Sequence, residues 1–296
     1  MRGRGATRLG EARAHPVTTV ALFALRESVR RRVFLVVALL TLAFLTLYGL
    51  GVWQAHKTAS EIDTGTGVDT RVVVGAILLG LSMFGTLFLG AILAVFLTLG
   101  AVRGDAERGL LQPLLVRPVS RRTFLLGRFA AAALVCGAYV VAVFLAAAAI
   151  TRIVGGWWPD RVALPALELA AAVAIIAALS LAGSVVLASI ANGIAIFMLF
   201  GAGLTAGLLG QIGEALGSST LSNVATAADW VLPFEALYQA ALSAITADTV
   251  GFARLAIDLG PFGGAQSFGP LLGPWAVAYT VLVGLAALAA FARRDL

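Results

Sequence analysis

The chain has 296 residues, 60% of them hydrophobic and 12% charged, and its 21 Lys and Arg outweigh 15 Asp and Glu to give a net charge of +6. A soluble domain of this size could not keep so much apolar surface away from water, so the composition excludes a water-soluble globular protein and places the chain in lipid. Its single cysteine, Cys136, excludes an internal disulfide.

Residues 1–16 read as a basic cytoplasmic tail, with no short apolar core and cleavage pattern of a signal peptide. Residues 17–32 read as an amphipathic helix lying on the membrane surface. Leu22, Leu25, Val29 and Val33 recur at helical spacing, while Arg26, Glu27, Arg30 and Arg31 form a charged flank. Glu27 precedes Arg31 by four residues, the favourable order for a helical pair.

A transmembrane helix needs roughly 20 apolar residues. Six runs qualify within a single transmembrane domain, 33–296: 33–53, 72–102, 123–150, 162–190, 193–209 and 271–291. The fourth and fifth meet at Ala191-Asn192-Gly193, read as a tight turn because Asn and Gly accept left-handed backbone. The predicted fold is therefore all-α, a polytopic membrane protein.

Arginines set the orientation, since cytoplasmic flanks retain positive charge. They crowd the N-terminal segment, the 103–122 loop and the C-terminal Arg293-Arg294, which puts both termini inside. The opposite segments collect acids, including Glu61, Asp63, Asp229 and Glu235. Trp53, Trp157, Trp158 and Trp275 fall at the outer span ends, where indole rings settle among headgroups. The outer segment 211–270 is too polar to span. Within it, residues 229–244 are helix-compatible, and a short outer helix or re-entrant hairpin capping the bundle is expected, with a loose lipid-skimming loop as the plainer reading.

Little in the chain reads as catalysis. His15 and His56 fall on opposite sides of the membrane, so no metal cage is expected. The G-x-x-x-x-G-K-[ST] phosphate loop is missing from the sequence, and the only lysine, Lys57, lies in an outer loop. Glu168 is the one carboxylate inside a span. An intramembrane carboxylate is a functional candidate by default, yet two turns below the outer boundary it could reach the headgroups, which favours an interfacial or helix-pairing role over a proton relay.

Small residues line two spans. Ser82, Thr86, Gly90, Ala94 and Thr98 repeat every four residues in the second, and Gly203, Ala206, Gly207 and Gly210 form adjacent ridges in the fifth. Such stripes serve close helix packing more often than a passage, and both uses stay open here.

Four segments together resemble permease subunits of the type-2 ABC transporters, nearest the branch that resembles nitrous oxide reductase maturation permeases. They are ALFALRESVRRRVFLVVALL, ERGLLQPLLVRPVSRRTFLLGR, WVLPFEALYQ and the terminal FARRDL. Leu110 stands where the family usually has Thr, and Arg128 where it often has Lys. The resemblance implies a coupling helix in the loop after the second span, inserted into a groove of a separate ATPase. The corresponding residues are Arg103, Asp105, Glu107, Arg108, Gly109, Leu110 and Leu111, with Glu27, Arg30 and Arg31 as a second contact. Pro118, Ser120 and Arg121 close that loop and restart the helix, Ser120 being placed to cap it.

The same resemblance implies a dimer of permeases served by two ATPase copies that hold ATP and Mg, with the second and fifth spans lining a passage. This chain itself carries no cofactor, is not an enzyme and engages lipid but no nucleic acid. The expected function is export or flipping across a bacterial cytoplasmic membrane. A gradient-driven carrier or channel, or a membrane assembly factor, are the alternatives.

Overall fold

The computed structural model describes residues 32–61, 70–99, 120–247 and 264–293. Among these the chain is helical, without strands. The long helices are α1 (Arg32–Glu61), α2 (Thr70–Thr98), α3 (Arg121–Ile150), α4 (Ala163–Val186) and α5 (Ser189–Leu216). Two shorter helices follow, α6 (Ser219–Val231) and α7 (Pro233–Ala244), and then α8 (Leu272–Ala292). Six of these are long and apolar enough to cross a bilayer, all but α6 and α7. The architecture is all-α and polytopic.

Helix ends follow local chemistry. α3 runs into a π turn at Thr151–Gly155, closed by Gly156 at φ 73°. α5 ends at Gly217, φ 63°, where Gly217 N–H donates to Glu214 O and Ser218 N–H to Gly213 O. That is the glycine-terminated pair of hydrogen bonds that satisfies the last free carbonyls. Pro233 opens α7 at a position where a missing N–H costs nothing.

The turn between the fourth and fifth spans differs from expectation. The helix breaks at Leu187-Ala188, both in extended backbone, and Asn192 and Gly193 lie within α5. Local turn chemistry pointed to Asn192-Gly193, but these residues are committed to tertiary contacts. Asn192 donates to Ser180 O, and a Cβ at Gly193 would meet Leu99 Cδ1 at 2.9 Å.

α4 sits at the centre and packs against α2, α3, α5, α7 and α8. α1 and α8 lie outside, turning Leu35, Leu39, Leu47, Val277, Val281 and Leu285 outward. Rows of exposed branched side chains on both flanks are intolerable in water and suited to lipid. Hydroxyl bridges join α1 to α3. Thr41 Oγ1 donates to Val37 O, so Tyr139 supplies the proton of its 2.6 Å bond to Thr41, and Tyr48 likewise donates to Thr151 at 2.5 Å.

Contacts define two ends of the bundle. At one, Trp157 packs on Gly75, the His56 ring on Gly155, Asp160 N–H donates to Ile245 O, and Trp275 Nε1–H donates to Trp230 O at 3.0 Å. Trp53 is exposed there, but Trp157, expected among headgroups, is buried, its ring filling the space a side chain at Gly75 would take. At the other end, Leu125, Leu181, Val185, Ala287 and Phe291 form a small separate core.

Candidate functional site

The second end is where the 103–122 loop joins the bundle. Arg103, Asp105, Glu107, Arg108, Gly109, Leu110, Leu111 and Pro118 lie outside the described residues, as do Glu27, Arg30 and Arg31. What is described is the frame on either side of the loop. Arg121 begins α3, and Ser120 caps it: Ser120 sits in extended backbone and its Oγ accepts the Thr123 N–H at 3.1 Å. A Ser120→Ala substitution should cost about 1 kcal/mol of stability. An unchanged thermal unfolding midpoint in detergent would show the cap to be incidental.

On the other side of the loop, the last turn of α2 is tied to α4 and α5 by buried polar groups. Thr98 Oγ1 donates to Ser180 Oγ at 2.7 Å, and Asn192 Nδ2 donates to Ser180 O at 2.9 Å. All three residues are buried. Gly183 provides the clearance: a Cβ there would run into Asn192 Oδ1. Three spans are thus joined one turn from the loop. Thr98 was legible as part of a small-residue stripe, and Asn192 as a turn residue. Their pairing through Ser180 spans long sequence separations and has no local signal.

The small-residue stripes are occupied by the chain's own helices. Ser82 and Thr86 are buried, their hydroxyls returned to the carbonyls of Leu79 and Ser82. A Cβ at Gly90 would lie 2.5 Å from Val140 Cγ2 and 2.8 Å from Val173 Cγ2, so α2 meets α3 and α4 there at backbone distance. Gly203, Ala206, Gly207 and Gly210 are buried on α5. Gly203 receives the Phe234 ring, and a Cβ at Gly210 would sit 3.1 Å from Ala225 Cβ. The stripe on α5 therefore seats the α6–α7 hairpin. The side chains these spans leave exposed include Ile77, Leu81 and Phe88 on α2, and Ile194 and Met198 on α5.

Glu168 lies in the second turn of α4, half-buried, with Oε2 lacking a hydrogen-bond partner. The acids of the 211–270 segment hold a correction. Glu235, placed among the acids of the outer segments, is 1% exposed, and α7 is buried along nearly its whole length. Gln239 Nε2–H donates to Glu235 Oε1 at 3.4 Å. Burial pushes the Glu235 carboxyl up to about 8, opposed by the Gln239 bond and aided by the nearby Asp229, itself raised by burial to about 6. A Glu and Gln four residues apart in the otherwise apolar PFEALYQAALSA was the available signal.

The framework is a bundle with six helices long and apolar enough to cross a membrane and a charged loop after the second of them. The profile of the ABC-2 family transporter proteins matches residues 18–296, and the chain belongs to that family. It is a transmembrane permease of the ABC transporter class, whose membrane subunits are generally not themselves enzymes and typically pair with an ATPase subunit. A comparison with curated proteins gives no match.

Proposed function

We propose that the chain is the permease subunit of an ATP-driven exporter or flippase. Two copies, or one copy and a related chain, would work with two copies of a separate ABC ATPase that binds ATP and Mg. The observation that carries this reading is the extent of the family match, which takes in residues 18–32, the 103–122 loop and every span. The arginine distribution supports a bacterial cytoplasmic membrane with both termini inside. The similarity to nitrous oxide reductase maturation permeases rests on the same quoted segments.

The geometry supplies a route for coupling. Closure of the ATPases would push the charged loop, whose Arg103, Asp105, Glu107 and Arg108 can form charge-assisted hydrogen bonds with a soluble partner. The Thr98–Ser180–Asn192 tie would pass that push from α2 to α4 and α5 as one rigid body. Because the small stripes are filled within the chain, the passage would be lined by the exposed apolar side chains of α2 and α5, around Phe88 and Met198. Such a lining suits an amphipathic or lipidic cargo.

The test is a mild-detergent pull-down of the tagged chain from its native membranes, scored for a copurifying P-loop ATPase. Recovery with the native chain and at least tenfold less with Glu107→Arg is expected, a loss of about 1.4 kcal/mol or more. If no ATPase is recovered while other membrane complexes survive, a gradient-driven carrier becomes the better reading. The unpartnered Glu168 Oε2 favours that alternative, and Glu168→Gln would then abolish transport.

A further inference from the structure

The α6–α7 hairpin carries a polar cluster whose hydrogen bonds do not close. Glu235 and Gln239 are each 1% exposed, and their one mutual bond runs from the Gln239 amide to Glu235 Oε1. Glu235 Oε2, Gln239 Oε1 and Asp229 Oδ1 are buried with no hydrogen-bond partner among the described residues. As an ionised carboxylate Glu235 can only accept, so every orphan in the cluster would be an acceptor facing no donor. A buried acceptor left unsatisfied is costly, and a buried unpaired charge more so.

One proton changes the count. A carboxylic acid donates through one oxygen and accepts at the other, and a carboxamide offers the complementary pair. Glu235 and Gln239 stand one turn apart on α7 with the amide N–H already engaged. A proton on Oε2, donated to Gln239 Oε1, would complete the head-to-tail pair and remove two of the three orphans. A metal ion fits less well, since no group of three or more His, Cys, Asp or Glu among the described residues could hold one.

Titratable groups on the helices packed against α7 are Arg71 on α2, Glu168 on α4, Glu214 on α5, Asp229 on α6 and Tyr279 on α8. Asp229 acts on Glu235 electrostatically, and its negative charge adds to the preference for a neutral acid. Tyr238 on α7 itself is raised by burial and by Glu235. The carboxyl is buried where α7 packs against its neighbours, most extensively α4; on the α5 side a Cβ at Gly203 would meet the Phe234 ring at 2.8 Å and Glu235 Cβ at 3.6 Å, with Phe200 stacked on Phe234 at 5.9 Å.

We infer that Glu235 is a proton-binding site: its carboxylate takes one proton from solvent when α7 seats against its neighbouring helices and returns it when that packing opens. The seated form holds the extra proton, so acid favours it. That preference is fully present below the ordinary carboxyl value of 4.5 and is lost as pH rises to about 8. The inference concerns the folded chain alone and stands whether or not the chain transports.

Infrared spectroscopy of the purified chain in lipid nanodiscs tests it. The wild-type minus Glu235→Gln difference spectrum should contain a protonated-carboxyl C=O band at neutral pH that gives way to carboxylate bands as pH is raised toward about 9. The subtraction separates Glu235 from Glu168 and Asp229. Gln239→Leu should keep the band and move it to higher frequency, because the C=O loses its N–H donor. Absence of the band at neutral pH in a folded wild-type protein would overturn the site. Amide exchange over residues 233–244, corrected for intrinsic rates, tests the linkage. Protection should fall by up to about tenfold per pH unit across that window in the wild type and stay flat in Glu235→Gln, one proton's worth of linkage. The same slope in both proteins would overturn it.

Discussion

Replacing Gly90 by leucine is expected to destabilise the bundle more than any other single change on α2. At this position a Cβ would already lie 2.5 Å from Val140 and 2.8 Å from Val173, on two different helices, so the new side chain has no single neighbour that can yield. Overpacking a close-packed interior costs about 1–3 kcal/mol and sometimes more, and a clash against two helices belongs at or above the top of that range. In lipid, helices are held by packing and hydrogen bonds without a hydrophobic drive between them, so forcing α2 away from α3 and α4 loses contacts that nothing replaces. The measurement is the thermal unfolding midpoint of detergent-purified protein, with Gly51→Leu as control, since a Cβ at Gly51 meets nothing within 4 Å. Gly90→Leu should drop the midpoint sharply or leave no monodisperse protein, and Gly51→Leu should leave it unchanged. Adding Val140→Ala and Val173→Ala to Gly90→Leu should recover much of the loss. Equal behaviour of the two leucine variants would contradict the packing.

The spans were legible because hydropathy over some twenty residues is a strong, local and redundant signal. The Ser82–Thr86–Gly90 stripe was legible for the same reason, its period of four being visible without knowing the partner. What the stripe faces was not, because Val140 and Val173 are 50 and 83 residues away from Gly90. Asn192-Gly193 shows how local chemistry misleads. The pair has turn propensity, but Asn192 gains more from Ser180 O and Gly193 from its approach to Leu99 than either would in a turn, so the break moved to Leu187-Ala188. Glu235 was read as an outer charge because it falls in the acid-bearing segment opposite the arginine-rich flanks. The neutral acid–amide pairing that reconciles it with burial requires Gln239 on the same helical face, a second-order feature. Glu107 and its neighbours carry no signal of their own beyond a solvated charge cluster, and only resemblance to a family gives them a role.

The Thr98–Ser180–Asn192 tie can be broken without touching any of its members. Gly183→Ala places a methyl group where Asn192 Oδ1 lies, so the amide must swing away and the 2.9 Å bond to Ser180 O is lost. Leaving a buried amide unsatisfied costs about 1–3 kcal/mol, although interhelical bonds in membranes commonly return only ~1 kcal/mol. The decisive comparison is a double-mutant cycle. In an Asn192→Ala background the space beside Gly183 is vacant, so Gly183→Ala should become nearly neutral and the coupling energy should be about 1 kcal/mol or more. Additive losses in the unfolding midpoint would show that Gly183 is needed for another reason, such as its own helix. The functional arm follows from where the tie sits, one turn from the 103–122 loop. If the loop receives the ATPase stroke, a chain in which α5 is no longer pinned to α4, and through Ser180 to α2, should still recover its ATPase partner but transport less per ATP hydrolysed. Glu107→Arg should instead lose the partner. Docking and transmission are thereby separable on one chain, because the first depends on charge at the surface and the second on a buried amide that never meets the partner.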